Sequence, residues 1–382
     1  MKTIRNNNKY ITQDTLNECF RCGEYTLVDK VLCGNGFSTR FLMEEPLKYH
    51  TNILIAPNIE VVKSKEREYK SGRIHTKNNI GFFYEGCESQ ISPDMDVLVM
   101  VSDSFKYRKA KIDSLTIDKI LIDEIHSIEA QGSFRRELVD FTNWVKKNYL
   151  HKCNGIVGVS ATPGVLANID VEIDNGFVDE TVIDTSENLS KFIISIKKSI
   201  FNNEKTFIAS NSPSLIYNIA TQRENGHDRR RLQANFLCGK SLLGSLCHLF
   251  VLVQDDSSKT IIGSSKAFEG HDLNGDGWNF FVYENRKISS SQLKQENIYQ
   301  IINRCRGKRS SVVYFRLGSD KPSGMPLYSL ETVEAFANDD SILPESKMTK
   351  SDKFRWIHNG LSYRYSDLHK YLVFSDNNTS VS

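Results

Sequence analysis

The stretch Lys119-Ile120-Leu121-Ile122-Asp123-Glu124-Ile125-His126 decides how this chain is read. Three consecutive apolar residues, Ile120, Leu121 and Ile122, end abruptly in two adjacent carboxylates. An apolar run without alternation suits a strand buried on both faces, as in a parallel sheet covered by helices. Comparable runs occur at residues 25–32, 52–56, 96–101, 118–122 and 155–159. Stretches long enough for crossover helices separate most of them. The clearest helix spans 135–149, where Leu138, Phe141, Trp144 and Val145 recur at three-to-four spacing. This alternation predicts a parallel α/β sheet.

A polar, acidic connection around 170–187 leads to a second series of runs at 205–210, 249–254, 260–264, 279–283 and 311–315. Between the last two, 291–304 reads as a helix with Ile298, Ile301, Ile302 and Cys305 on one stripe. The expected class is therefore α/β, with two tandem parallel sheets flanked by helices and a small C-terminal extension. The expected divisions are a lead-in at 1–24, a first domain at 25–180, a second at 181–320 and an extension at 321–382. The lead-in carries a short helical segment near 15–20. The extension carries a helical tail at 353–374 and a disordered-looking end at 376–382.

Bulk properties narrow the class. The chain has 382 residues, 39% hydrophobic and 25% charged, as in soluble globular proteins. It has no apolar run long enough for a bilayer. Its first residues, Met-Lys-Thr-Ile-Arg-Asn-Asn-Asn, lack the apolar core of a signal peptide, so a cytosolic setting is expected. With 49 basic and 47 acidic residues the net charge is +2, so any nucleic-acid binding must use local patches. Of eight cysteines only Cys19 and Cys22 form a CxxC pair, and no second pair completes a zinc site. Reduced thiols are expected.

In an open parallel sheet, ligands bind beyond the carboxyl ends of the strands. The first strand is followed by Cys33-Gly34-Asn35-Gly36-Phe37-Ser38-Thr39-Arg40. Gly34 and Gly36 permit a tight turn that aims backbone amides at a phosphate, and Ser38 can offer a hydroxyl to Mg²⁺. The plainer reading is a strand-to-helix turn that merely uses glycines. The fourth strand is followed by Asp123 and Glu124, which suit one carboxylate on a metal and one orienting or deprotonating water. Ala56-Pro57-Asn58, Ser102-Asp103-Ser104-Phe105 and Ser160-Ala161-Thr162-Pro163 follow the other three. Small hydroxyl residues there suit a hinge that senses a nucleotide, or an ordinary helix cap.

In the second half, Ser264-Ser265-Lys266-Ala267-Phe268-Glu269-Gly270-His271-Asp272 follows a strand. Gln300 and Arg304 lie four apart on the stripe helix and so share a face, which allows Arg304 to stabilise charge on a transferring phosphate. The plainer reading of Arg304 and Arg306 is a solvated basic face. Three basic runs stand out: Lys63, Lys65, Arg67 and Lys70; Lys106, Arg108, Lys109 and Lys111 with Phe105 and Tyr107 interleaved; and Arg229, Arg230 and Arg231. Basic residues with aromatics suit single strands, whose phosphates pair and whose bases stack. Solvated faces would look the same.

Taken in order, these segments resemble a superfamily 2 DExH-type helicase, of the viral and phage branch related to origin-binding helicases. The resemblance spans about residues 25–315. It implies two RecA-like domains that bind ATP and Mg²⁺. Leu121-Ile-Asp-Glu-Ile-His126 resembles the DExH box, which implies Asp123 for Mg²⁺ together with Ser38, Glu124 for activating water, and a catalytic setting for His126. Ser160, Ala161 and Thr162 resemble the motif that couples hydrolysis to movement. Segment 53–58 is similar to the one that holds the nucleic-acid backbone, and 205–210 looks like the opening strand of the second domain. Pro57 and Asn58 of segment 53–58, with Ser102, Lys106, Arg108 and Ser265, are the expected nucleic-acid contacts. Gly270 and Asp272 belong to the fifth motif, while Gln300, Arg304 and Arg306 belong to the sixth, in an Arg-x-Arg variant.

Two departures matter. The phosphate-loop lysine of the family would fall at position 37, where this chain has Phe37. The run Gly36-Phe37-Ser38-Thr39 also resembles the deviant phosphate loops of some phage packaging ATPases, in which a basic residue elsewhere takes over. Lys30 and Arg40 are the local candidates, one in the predicted strand and one in the following helix. In the sixth motif Asn303 and Gly307 depart from the commonest pattern, which leaves Arg306 or Arg309 to serve as the second arginine. The expected function is an ATP-dependent helicase or translocase acting on DNA, single-stranded or duplex, more than on RNA, in phage-type replication or recombination. No membrane role is expected, and a protein partner is open through the extension. The alternatives are a non-hydrolysing nucleic-acid-binding or scaffold protein on the same fold and, less favoured, a genome-packaging motor.

Overall fold

The computed structural model describes residues 1–32, 34–85, 91–131, 138, 140–162, 169–175, 182–186, 188–221, 232–238, 242–252, 258–264, 273, 275–285, 287, 293, 295–305, 308–318 and 373–374. The chain divides into two compact units. Described residues up to Asn175 belong to the first and those from Val182 onward to the second.

In the first unit the strands are β1 (Lys2–Arg5), β2 (Tyr25–Asp29), β3 (Thr51–Ala56), β4 (Ile80–Phe83), β5 (Val97–Val101), β6 (Ile117–Asp123), β7 (Ile156–Ser160) and β8 (Val171–Asp174). They form one parallel sheet in the order β1-β8-β2-β7-β6-β3-β5-β4. The helices are α1 (Gln13–Cys19), α2 (Phe37–Met43), α3 (Ile59–Lys70), α4 (Ser102–Tyr107), α5 (Lys109–Ile112), α6 (Ile125–Gln131) and α7 (Phe141–Tyr149).

The strand pleat sends successive side chains to opposite faces, and both faces are apolar here. Val28, Leu54, Val99, Leu121 and Val157 face a core completed by Phe37, Phe41 and Val62. Ile53, Met100, Ile120, Ile122 and Ile156 face another, filled by Phe105, Phe141 and Tyr149. Two-sided burial is why the strands read as unbroken apolar runs.

The second unit repeats the plan with β9 (Val182–Thr185), β10 (Lys205–Ala209), β11 (Gln233–Leu237), β12 (Val251–Leu252), β13 (Thr260–Gly263), β14 (Trp278–Asn285), β15 (Arg309–Leu317) and β16 (Val373–Phe374). The order is β12-β11-β13-β10-β14-β15-β9-β16, again parallel. Phe192, Ile193 and Ile196 of α8 (Leu189–Phe201) and Leu215, Ile216 and Ile219 of α9 (Pro213–Thr221) pack on Ile208, Ile262 and Phe281. The architecture expected from the sequence, two parallel sheets flanked by helices, is the one observed.

Several details differ from expectation. The polar segment 1–24 is no mere lead-in. Its β1 pairs with β8, and α1 buries Leu16 and Cys19 against the first core. The strand expected at 25–32 ends at Asp29, because Val31 turns into the left-handed region (φ 55°). The helix expected at 291–304 spans Gln295–Ile302. The described part of the helix expected at 135–149 begins at Phe141. The tail expected at 353–374 lies outside the described residues apart from Val373–Phe374, which is a strand paired with β9.

At one crossing the sheet depends on glycine. Gly155, just before β7, has φ 155°, and a Cβ there would meet the Arg21 carbonyl oxygen at 2.7 Å. Because that neighbour is backbone, it cannot swing aside. Gly155→Ala is expected to cost about 1–3 kcal/mol, from strain and overpacking, read as a lower midpoint in urea unfolding.

Candidate functional site

The sheet order sorts the predicted segments before any side chain is considered. Along the carboxyl edge of the first sheet, β2, β7, β6, β3 and β5 are consecutive neighbours. They carry, in turn, the glycine loop, Ser160-Ala161-Thr162, Asp123-Glu124, Pro57-Asn58 and Ser102-Asp103. The glycine loop and the carboxylates, about 90 residues apart in sequence, flank a single strand.

At that edge four side chains converge. Ser38 donates its hydroxyl to Asp123 Oδ2 at 2.5 Å. Lys30 Nζ lies 2.7 Å from Glu124 Oε1 and 3.5 Å from Asp123 Oδ1. All four are buried, Lys30 to 5% exposure. An ammonium in such a place requires paired carboxylates, since leaving it unpaired would be costly.

Local backbone explains the aim of each group. Gly34 and Gly36 take φ values of 70° and 81°, which let the loop curl before α2 begins. A side chain at Gly36 would meet Tyr10 Cδ1 at 3.3 Å, so the 6–12 segment crosses directly over the loop. Ile11 N donates to the Asn35 carbonyl at 2.9 Å. Nothing in the apolar pattern signals this role for the polar N-terminus. Glu124 occupies the left-handed region (φ 46°), uncommon for a residue with a Cβ. Its amide donates to Asp123 Oδ1 at 3.0 Å, and Ser127 N donates to its carbonyl at 2.8 Å. The chain thus turns at once from β6 into α6, and the Glu124 carboxylate is tipped back over the strand end.

The neighbouring strand is wired to this turn. Ser160 Oγ and His126 Nδ1 share a hydrogen bond at 2.7 Å, and Thr162 N donates to Ser160 Oγ at 2.9 Å. His126 Nδ1 also lies 3.5 Å from Glu124 Oε2. His126 thus links Glu124 to the end of β7 and the start of the loop after it. Ala161 and Thr162 are buried beside it. From α6, Gln131 Nε2 reaches the Pro57 carbonyl at 3.4 Å.

The residues present suit a hydrated divalent cation held beside a phosphate. Ser38 and Asp123 offer a hydroxyl and a carboxylate oxygen already in contact, a hard oxygen set that Mg²⁺ accepts while keeping waters and phosphate oxygens as its remaining ligands. The charge balance agrees. Lys30, Asp123 and Glu124 sum to −1, unfavourable for a polyanion, and a divalent cation makes the sum +1.

Phe37 does not face this cluster. It is 1% exposed and packs in the core with Phe41 and Leu42. Of the two stand-in cations, Lys30 reaches the carboxylates, whereas Arg40 lies in the second turn of α2, half-buried. Thr39 accepts a hydrogen bond from Lys65 at 3.0 Å.

The segments expected to meet nucleic acid are mixed. Asn58 caps α3, accepting from Val61 N at 3.1 Å, while Pro57 and Ser102 are buried. On α3 the basic run is offset by its own acids: Lys63 pairs with Glu60, Lys65 with Glu68 and Lys70 with Glu66. Phe105, expected to be an interleaved stacking residue, is instead fully buried against Trp144 and Tyr149. Tyr107, two residues on, is 72% exposed. Helical periodicity is the reason, since only one of the two can face the sheet. Lys106 lies over the Trp144 ring at 5.5 Å and Arg108 over the Phe83 ring at 5.8 Å.

In the second unit Gln300 is buried within its helix. Arg304 lies in the turn just past the helix end, where its amide donates to the Ile301 carbonyl at 3.1 Å. Arg309 explains the stop: its Nη1 donates to the Ile302 carbonyl and to Asn303 Oδ1, both at 3.1 Å. Arg306, Ser265, Gly270, Asp272 and Arg229–Arg231 lie outside the described residues.

Comparison with known proteins agrees with the fold. Residues 37–165 match the family described as Type III restriction enzyme, res subunit (ResIII). The match begins just after Lys30 and the glycines and takes in the carboxylate pair and the Ser160 segment. Solved structures of similar fold include S. cerevisiae Dbp5 bound to RNA and ADP BeF3, at 13% identity, TM-score 0.50, and coverage of 92% of this chain and 85% of that one. A point variant of Dbp5 with the same ligands shows 14% identity, TM-score 0.50 and coverage of 78% and 80%. The Escherichia coli DEAH/RHA helicase HrpB shows 10% identity and TM-score 0.50, with 80% of this chain covering 42% of that one. No curated protein matches. The chain has the tandem RecA-like fold of helicases. With the ResIII match, that fold supports a superfamily 2 helicase. Among the described residues no helix is long and apolar enough to cross a membrane.

Proposed function

We propose that this protein is an ATP-dependent nucleic-acid helicase or translocase. The observation that carries the reading is the buried cluster of Ser38, Asp123, Glu124 and Lys30 on one sheet edge. In this reading Ser38 and Asp123 would hold Mg²⁺, which would supply positive charge to offset that of the phosphates. Glu124 accepts a proton from the attacking water, whose oxygen bonds to the terminal phosphorus as the bond to the bridging oxygen breaks, releasing ADP and phosphate. The Glu124-His126-Ser160 contacts pass the change to β7, and Gln131 passes it to the Pro57 segment.

We assign DNA as the substrate, on the restriction-enzyme character of the ResIII family, against the RNA bound by Dbp5. Lys106 and Arg108 beside exposed Tyr107 are the proposed phosphate and base contacts in the first unit. The test is ATP turnover measured alone and with single-stranded DNA, duplex DNA and RNA. Stimulation of at least tenfold by DNA at about 0.1 M salt is expected, declining steeply as salt rises. Turnover unchanged by every nucleic acid would sink the motor reading. Full stimulation by RNA alone would sink the DNA assignment. The alternative is a non-hydrolysing scaffold on the same fold, motivated by Phe37; the cation that Lys30 brings to the carboxylates supports the hydrolysing reading.

A further inference from the structure

We propose that Lys30 is the cation that grips the terminal phosphates, in place of a lysine at position 37, and that its ion pair with Glu124 is a latch released by that grip. The inference rests on the nucleotide reading above and adds to it the residue that recognises the phosphates and the way the resting site is kept closed.

Four observations carry it. First, position 37 is committed elsewhere: the Phe37 side chain is core, so this loop has no cation at its usual place. Second, Lys30 is buried beside both carboxylates and one carboxylate removed from the Ser38 hydroxyl. Asp123 bridges them, with Oδ2 toward Ser38 and Oδ1 toward Lys30.

Third, the Lys30 backbone is held from every side. Its amide donates to the Ser160 carbonyl at 2.8 Å. Its carbonyl accepts from Leu32 N at 2.5 Å and from the side-chain amides of Asn35 and Asn175, both at 3.2 Å. Val31 sits strained in the left-handed region, with its amide held by Asp29 Oδ1 at 2.8 Å. Strain and a multiply bonded backbone mark a side chain being aimed. Fourth, the partner is the proposed base itself. While Lys30 holds Glu124 Oε1 at 2.7 Å, that oxygen is neutralised and poorly disposed to take a proton from water.

The exchange makes and breaks no covalent bond. A phosphate oxygen replaces the Glu124 oxygen at Lys30 Nζ, both anions competing for one ammonium. Glu124 Oε1 is then released from the ammonium and able to accept a proton. Binding of the triphosphate therefore switches on the base that hydrolyses it, and the resting site stays inactive.

The experiment measures equilibrium binding of AMP-PNP, ADP and AMP to the full chain with Mg²⁺, in four forms: wild type, Lys30→Met, Glu124→Gln and the double variant. The expected results are these. Lys30→Met weakens AMP-PNP by about 10- to 100-fold, the worth of a lost charge-assisted contact, and AMP by less than threefold. Glu124→Gln tightens AMP-PNP several-fold, because Lys30 no longer has a charged competitor, and this gain vanishes in the Lys30→Met background. A lysine that only neutralises buried carboxylates would not produce selectivity for the longer phosphate chain or the coupled gain.

Lys30→Met leaves two buried carboxylates without their cation, so the double variant, which restores the net charge of the wild-type cluster, provides the comparison if the single variant unfolds. AMP-PNP affinity equal in Glu124→Gln and the double variant overturns the proposal. Failure of wild type to bind AMP-PNP or ADP at all overturns the nucleotide reading, a result distinct from loss in the Lys30 variants alone.

Discussion

Glu124→Gln is expected to reduce nucleic-acid-stimulated ATP turnover by about 10²- to 10⁴-fold, the usual worth of a positioned general base. The amide keeps the carboxylate's shape and its place at the turn into α6 but cannot accept a proton at neutral pH. Binding of nucleotide should persist, so the loss should fall on kcat and leave KM little changed or lowered. Stability should fall only modestly, because Lys30 keeps Asp123 at 3.5 Å and an uncharged partner at Glu124's place. Single-turnover hydrolysis with saturating DNA is the measurement. Turnover within threefold of wild type would remove Glu124 from the reaction and return the Asp123-Glu124 pair to a structural role.

Phe37→Lys is expected to unfold the first unit rather than repair its phosphate loop. By sequence alone the substitution restores the residue common at that position. In the structure it places an ammonium in a core formed by Phe41, Leu42, Val28 and Leu121. Truncating a buried phenylalanine costs about 3–5 kcal/mol, and an unpaired buried charge adds to that. Against the marginal stability of a domain this is most or all of the margin. Phe37→Leu, which keeps the apolar contact, should cost under about 1.5 kcal/mol and leave nucleotide binding intact. Urea unfolding followed by circular dichroism separates the two. A stable Phe37→Lys protein with improved ATP binding would show that position 37 does face the site, and would leave Lys30 a counter-ion only.

The difference between those expectations shows what was legible. The strands of the first sheet could be read because both faces are covered, so burial leaves unbroken runs such as Ile120-Leu121-Ile122. Edge and short strands could not. The β1 and β8 segments are half polar, β4 is four residues containing Gly81, and β16 is two residues long. The paired carboxylates, the loop glycines and Ser38 announce their chemistry in sequence, and the structure places them together.

Lys30 could be named from sequence only as one of two candidate cations, and its reach to the carboxylates did not show, because Val28-Asp29-Lys30-Val31-Leu32 looks like one continuous strand. Only a backbone event, capture of the Val31 amide by Asp29 and a left-handed turn, ends the strand one residue before Lys30. Nor could sequence tell Phe105 from Tyr107, or show that the basic run on α3 carries its own acidic partners.

By itself, then, the amino-acid order determined a parallel α/β architecture and the presence of a carboxylate pair at a strand end. Both follow from local rules of apolar periodicity and chain reversal. Which cation faces that pair was decided only in three dimensions. Lys30 and Glu124 are 94 residues apart, and they meet because β7 inserts between β2 and β6, bringing two loops to the same edge. Pairing a buried ammonium depends on distance through space, and no local pattern encodes that distance.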